Sequence, residues 1–242
     1  MASRIETGHA KNVANFQKLI AFVKGYGEMY NPSKSTLKVP QLETLLSIAE
    51  TSLANVVTQN THYMVSNRQA AFSDLKSLST RLVNALQTTD APDQLVDDAK
   101  GFNRKLQGRK STSTTTAQAD TNTTATKNIS TSQQSYTQQI QHFAGLTAVL
   151  KSEPSYTPNE TDLQTATLET KITDLTTKNN EVALAYVNVS NARIVRNNTL
   201  YNTGDSIFEV AADVKKYIKS IFGATSPEFA QVKGIEFKKS KN

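Results

Sequence analysis

Residues 30–44, YNPSKSTLKVPQLET, return further along the chain as residues 156–170, YTPNETDLQTATLET. The segments ahead of them also correspond: ANFQKLIAFVK before the first copy and QHFAGLTAVLK before the second. In order, Phe16 matches Phe143, Leu19 matches Leu146, Lys24 matches Lys151, Pro32 matches Pro158 and Leu37 matches Leu163. Helical periodicity alone does not demand shared turn prolines, so the pattern reads as an internal duplication with a period of about 125 residues. A chain built this way must fold as two like units, or as one unit in which each half supplies half of the core.

The apolar spacing within each half is helical. Val13, Phe16, Leu19, Ile20 and Val23 lie on one helix face, which Gly25 and Gly27 end. Leu42, Leu46, Ala49, Leu53 and Val56 step by three and four, the seam of a helix packing at a shallow angle. Val57, Met64, Ala71, Leu75, Leu78, Leu82 and Leu86 carry the stripe onward in a shifted phase, so one helix of about 70 Å is expected over residues 39–86 if nothing breaks it. Asp90 and Pro92 interrupt the pattern. The second half gives Leu168, Ile172, Leu175, Val182, Tyr186 and Val189, with Asn179 in a core-type slot. The halves close on matching Lys-Gly steps, Lys100-Gly101 and Lys233-Gly234. Few glycines and prolines (9 and 6 in 242 residues) and an apolar content of 37% suit long helices that bury a single stripe.

These features predict an all-α fold: an elongated antiparallel four-helix bundle built from two duplicated long helical hairpins, with a C-terminal helix and a short extended tail. The expected divisions are 1–110 for the first hairpin, 111–133 for a Ser/Thr-rich segment, 134–222 for the second hairpin and 223–242 for a basic, partly apolar tail. The composition of 111–133 reads as a flexible linker, and its alanine spacing reads as the leader of the next helix.

Chemistry is hard to find in the sequence. The absence of Cys removes thiolate nucleophiles and thiolate metal sites. None of His9, His62 and His142 is followed three or four residues on by a second His or an acid. There is no nucleophile elbow, P-loop or dinucleotide fingerprint. No enzyme, catalytic residue, metal, cofactor or small-molecule substrate is therefore expected. Without an export signal or a membrane-length apolar run, a cytoplasmic protein is expected.

Charge and apolar anchors carry what remains. The net charge of +6 concentrates in two segments on a mildly acidic remainder. Residues 100–110 hold Lys100, Arg104, Lys105, Arg109 and Lys110 without an acid; residues 215–242 hold Lys215, Lys216, Lys219, Lys233, Lys238, Lys239 and Lys241 against two glutamates. Phe229, Val232, Ile235 and Phe237 alternate with polar residues in the tail, and apolar anchors there are costly to leave wet. They fit either the tail's own bundle or a neighbouring copy. The leading expectation is a structural, self-assembling protein whose terminal segments touch other copies or a partner protein through these four residues. The alternative is binding of nucleic acid or another anionic surface through Arg104, Lys105, Arg109, Lys110, Lys215, Lys216, Lys219, Lys238 and Lys239, with nearby Phe side chains as stacking platforms. A membrane-active, pore-forming-like helical protein is a third reading, weakened because no segment is apolar enough to insert. The Arg/Asn-rich run around Arg193 and Arg196 reads as a polar outer helix face.

Overall fold

A computed structural model describes residues 4–59, 61–108 and 134–239, and all regular structure among them is helical, with no strand. Arg109, Lys110 and the Ser/Thr-rich segment lie outside the described residues. The chain divides into two compact units, the first drawn from Met1–Asn60 and Ala185–Asn242, the second from Thr61–Leu184. This division cuts across the halves read from the sequence: each unit takes its opening helices from one half and its closing helices from the other.

In the first unit, α1 (Arg4–Gly25) buries Val13, Phe16, Leu19, Ile20 and Val23, the stripe its sequence marks. Gly27 takes φ of 56°, a left-handed conformation that glycine enters without a Cβ clash, and this turns the chain out of α1. A 3-10 turn, Ser35–Leu37, leads into α2 (Val39–Thr58), whose Pro40 sits where a missing N–H costs nothing. The end of α7 (Thr165–Tyr201), α8 (Ile207–Phe222) and α9 (Pro227–Lys233) complete the unit. Ser206 and Ser226 cap α8 and α9 by accepting from the Glu209 and Phe229 amides. Gly223, with φ of 96°, ends α8.

The second unit contains α3 (Thr61–Phe72), α4 (Leu75–Leu86), α5 (Asp93–Gln107), α6 (Tyr136–Lys151) and the first part of α7. Its core joins Leu75, Leu78, Leu82 and Leu86 of α4 to Phe143, Leu146 and Leu150 of α6 and to Leu168 and Leu175 of α7. The approach of α5 to α6 is very close at Gly145, where a Cβ would lie 2.3 Å from the Phe102 ring.

One local design appears in both units. The Tyr30 hydroxyl donates to the Leu37 carbonyl at 2.9 Å, and the Tyr156 hydroxyl to the Leu163 carbonyl at 3.0 Å. A 3-10 turn ends at the accepting residue each time, Ser35–Leu37 and Thr161–Leu163. Lys24 pairs with Glu43, and Lys151 with Glu169. Burial pushes both phenols up, Tyr156 to about 12 with smaller help from Asp162 and Glu160.

Several sequence expectations need revision. Residues 39–86 are three helices, α2, α3 and α4, not one rod. The chain leaves α2 at Gln59, whose ψ of 66° is not helical, close to the phase shift at Val57. It breaks again at residues 73–74, where the Ser73 hydroxyl bonds the Ala70 carbonyl and offers the backbone an alternative to continued helix. The two Lys-Gly steps are not equivalent either: Gly101 lies inside α5, which Gly108 ends with φ of 72°, whereas Gly234 ends α9. Within the tail, Pro227–Lys233 form helix α9, Gly234 turns the chain, and residues 235–239 carry no regular secondary structure. No helix of the described residues is long and apolar enough to cross a membrane.

Candidate functional site

The C-terminal segment is held on its own unit by side chains of α1. Asn12 donates from Nδ2 to the Lys238 carbonyl at 2.8 Å and accepts from the Lys238 amide at 3.1 Å. A side-chain amide used in this way copies the pairing that a neighbouring strand would offer. One turn further, Asn15 donates to the Glu236 carbonyl at 2.7 Å. Tyr26 donates to the Glu228 carbonyl at 2.9 Å, and the Lys215 ammonium donates to the Ile235 carbonyl. Val232 and Ile235 are buried in the core of the first unit, and Phe229 and Phe237 pack half-buried against it. Of the four apolar residues singled out for contacts between copies, Val232 and Ile235 are thus buried in their own unit, and Phe229 and Phe237 pack against it partly exposed.

The tail's basic residues surround the same place. Lys215, Lys233 and Lys238 line a cleft of about 290 Å³ together with Phe208, Phe237 and Glu236. Lys215 sits 5.4 Å from the Phe237 ring centroid and Lys239 4.8 Å from that of Phe208, within cation–π range. Burial holds the Lys215 ammonium below the usual lysine range, partly offset by Glu236. Local acids compensate other members of the set: Lys216 lies 3.1 Å from Asp213, Lys238 3.3 Å from Glu236 and Lys239 3.8 Å from Glu209. Lys219 lies 5.9 Å from the Phe229 ring centroid.

The earlier basic segment is the last part of α5. Lys100 bonds Asp97 at 3.2 Å, Lys105 lies 5.3 Å from the Phe102 ring centroid, and Arg104 lines an open surface hollow with Lys100 and Asp97. Arg104 and Lys105 fall in the final turn of α5, where cations complement the negative end of the helix dipole. This segment belongs to the second unit and the tail to the first, so the described residues do not gather the two basic runs into one unit.

A third feature was not legible as a site. From Ala185 onward α7 belongs to the first unit, and Val182, Val189, Ala192, Arg196 and Leu200 trace the buried and half-buried side of the helix. Arg196 is only 3% exposed and donates to Asn197 at 2.9 Å, so it does not lie on the polar outer face expected for it. The opposite side carries Val187 and Ile194, exposed to 53% and 55%, with Val195 at 56% toward one edge and Tyr186 at 58% toward the other, beside Arg193. Asn191 and Asn198 are the polar residues on that side, so the stripe holds no charge. A helix usually shows one apolar stripe and one polar face; here the outward face is apolar as well. Its sequence signal was the run of Tyr186, Val187, Ile194 and Val195, more apolar residues than one stripe can use.

Asn179, in its core-type slot, is half-buried and accepts from Arg68 at 3.2 Å within the second unit. No protein-family model, curated protein or solved structure matches the chain significantly.

Proposed function

We propose that this protein is a non-enzymatic helical assembly protein, and that copies meet through the outward face of α7. The observation that carries this reading is the uncharged apolar stripe Val187, Ile194 and Val195, flanked by Tyr186. Single exposed hydrophobics are ordinary, but several on the outward side of one helix, here interrupted by Asn191, point to an interaction surface. The occupant that best suits an uncharged stripe of this kind is the same stripe on a second copy, because a two-fold contact needs only a self-complementary patch. The exposed side chains and their neighbours would bury on the order of 400 Å² per copy, about 800 Å² in total and below the roughly 1,000 Å² of a stable interface, so the association is weak and reversible. The tail, in this reading, closes its own unit and leaves the contact between copies to α7. A chain of two duplicated hairpins arranged as an antiparallel four-helix bundle belongs to the same proposal, supported by the recurring tyrosine turn. The Cys-free sequence fits a cytoplasmic location.

Sedimentation equilibrium tests the reading. The wild type should shift from monomer toward dimer with rising concentration, and Val187→Glu with Ile194→Glu should stay monomeric with unchanged helicity, since both side chains are already solvent-facing. A wild type that remains monomeric up to about millimolar concentration, or a variant that associates equally, refutes it.

A second reading rests on the convergence of Lys215, Lys233 and Lys238 with Phe208 and Phe237 at one cleft. It assigns binding of an anionic chain, such as single-stranded nucleic acid, by charge plus stacking. Retardation of a single-stranded oligonucleotide at low salt, lost steeply as salt rises, would support it. Absence of retardation at low salt excludes it.

A further inference from the structure

Two like halves in one chain raise a problem of assignment. The closing helices α4 and α8 bury aliphatic residues at identical spacing: Leu75, Leu78, Leu82 and Leu86 in one, Ile207, Val210, Val214 and Ile218 in the other. Each packs against the 3-10 turn of an opening segment, α8 against Ser35–Leu37 and α4 against Thr161–Leu163. Burial of aliphatic stripes is non-directional, so it discriminates poorly between α4 and α8 as the cover for either turn. Misassembly between like units is a characteristic failure of duplicated chains.

The charges at this junction are reversed between the two units. In the first, Lys34 on the turn bonds Asp213 on α8 at 2.8 Å. In the second, Asp162 on the turn pairs with Arg81 on α4. Asp213 and Arg81 hold the same position, one residue before the third buried aliphatic of their helices, Val214 and Leu82. Lys34 and Glu160 likewise both immediately precede the turn as its N-cap. The pairs are felt electrostatically: the Lys34 hydrogen bond is the main cause holding the Asp213 carboxyl low, the Arg81 hydrogen bond does the same for Asp162, and Glu160 adds to the field at Arg81.

We propose that these reversed ion pairs are a pairing code, by which each turn accepts the closing helix from the other half of the chain and rejects the one from its own. In the rejected arrangement Lys34 would face Arg81, and Glu160 and Asp162 would face Asp213, like charge against like at both junctions. Specificity of this sort comes from the repulsive alternative as much as from the attractive pair. Exposed pairs contribute little to stability, and exposed like-charge contacts cost similarly little, so the code biases the choice between arrangements by a modest factor. Two hydrogen bonds do not bear on the choice of turn, because each lies within one closing segment: Ser79 to Asn103 between α4 and α5, and Lys215 to Ile235 between α8 and the tail.

Charge exchange in the full chain tests the code. Lys34→Asp with Asp213→Lys preserves an attractive pair in the native arrangement but makes both rejected pairings attractive. After refolding from denaturant, this double variant should give, beside the native species, a second species amounting to at least about a tenth of the protein. Native ion-mobility mass spectrometry and bimodal hydrogen exchange in α8 would detect it. Adding Arg81→Asp, Glu160→Lys and Asp162→Lys inverts both ion pairs and Glu160, leaving Lys216 beside position 213 unchanged, restores the code in mirror image and should return a single species. That rescue separates the code from simple destabilisation, which further substitutions would deepen. A double variant that refolds to one species as the wild type does, or a full reversal that remains heterogeneous, overturns the proposal.

Discussion

Two glycines in the α5–α6 pair should respond oppositely to the same substitution. Gly145 lies in α6, and a Cβ built on it falls 2.3, 2.5 and 2.9 Å from three atoms of the Phe102 ring. Nonbonded carbons settle at about 3.5–4.0 Å, so Gly145→Ala requires a displacement of roughly 1 Å by the ring or by the helices. Overpacking of this kind costs about 1–3 kcal/mol, against a gain of about 1 kcal/mol in helix propensity. Gly101 lies inside α5 with nothing within 4 Å of its added Cβ. Gly101→Ala therefore gains the propensity term alone, about 1 kcal/mol. The two variants should differ by roughly 1–3 kcal/mol, which in a unit of this size separates their melting temperatures by several degrees. Circular dichroism at 222 nm through thermal and urea unfolding measures this. Phe102→Leu should reduce the penalty of Gly145→Ala in a double-mutant cycle, because the obstructing ring is gone. If Gly145→Ala is as stable as Gly101→Ala, the close approach of α5 to α6 is refuted.

Tyr30→Phe and Tyr156→Phe should each cost about 1 kcal/mol in urea unfolding, since each leaves a buried carbonyl without its donor. Both phenols are raised in the fold, so their stabilisation is complete below the unfolded tyrosine value near pH 10 and is lost as pH rises through the folded values; the Phe variants should show a shallower alkaline decline. His142 is lowered by burial and then by Lys105, so its contribution is present above the unfolded value near pH 6.5 and is lost as pH falls through the folded one. The wild type should therefore destabilise on mild acidification more than His142→Gln does, and equal slopes in melting temperature against pH would contradict this. Asn12→Ala removes both bonds to the Lys238 backbone, so the Lys238 amide should exchange at least about tenfold faster while the α8 core amides keep their protection. Unchanged exchange at Lys238 would mean that Asn12 does not hold the tail.

Most of the helices' buried faces were legible because periodicity reports directly on which side of a helix avoids water, although Val57 and Tyr186, read into those stripes, are exposed at 79% and 58%. Val13, Phe16, Leu19, Ile20 and Val23 are all buried, as is the counterpart set Phe143, Leu146 and Leu150. The shared turn was legible too, because Tyr, Pro and Leu at fixed offsets mark a structure that periodicity does not require. Partnership was not legible. The stripes of α4 and α8 have the same spacing, so nothing in the apolar pattern says which opening segment each one covers. The polar determinants of the tail were equally hidden: Asn12 and Asn15 neighbour the buried Val13 and Phe16, and only the folded backbone shows what they bond. Gly145 did leave a trace, since a glycine between Phe143 and Leu146 weakens a helix and asks for a compensating close contact. Arg196 misled because arginine is rarely buried, and its position on the inner side of α7 follows from helix phase more than from residue type.

These facts divide the labour between core and edge. Aliphatic side chains supply most of the drive to fold but little of the choice between α4 and α8, since both present branched or leucyl groups at the same four positions. The information that distinguishes the two covers must then sit where the units differ. It does so in the reversed charges at Lys34, Asp213, Arg81 and Asp162, in the steric demand of Phe102 on Gly145, and in the amides by which Asn12 and Asn15 take only an extended tail. Each of these is modest as a stabilising contact, and each becomes unfavourable when the wrong partner arrives. A chain whose two closing helices share one apolar spacing can, under the proposed code, let its core residues drift among aliphatics, while its turn charges can change only in pairs. The same reasoning separates α7 from the tail: the tail meets its own unit through directed hydrogen bonds, whereas the outward side of α7 carries no charge and sets only Asn191 and Asn198 beside its apolar groups.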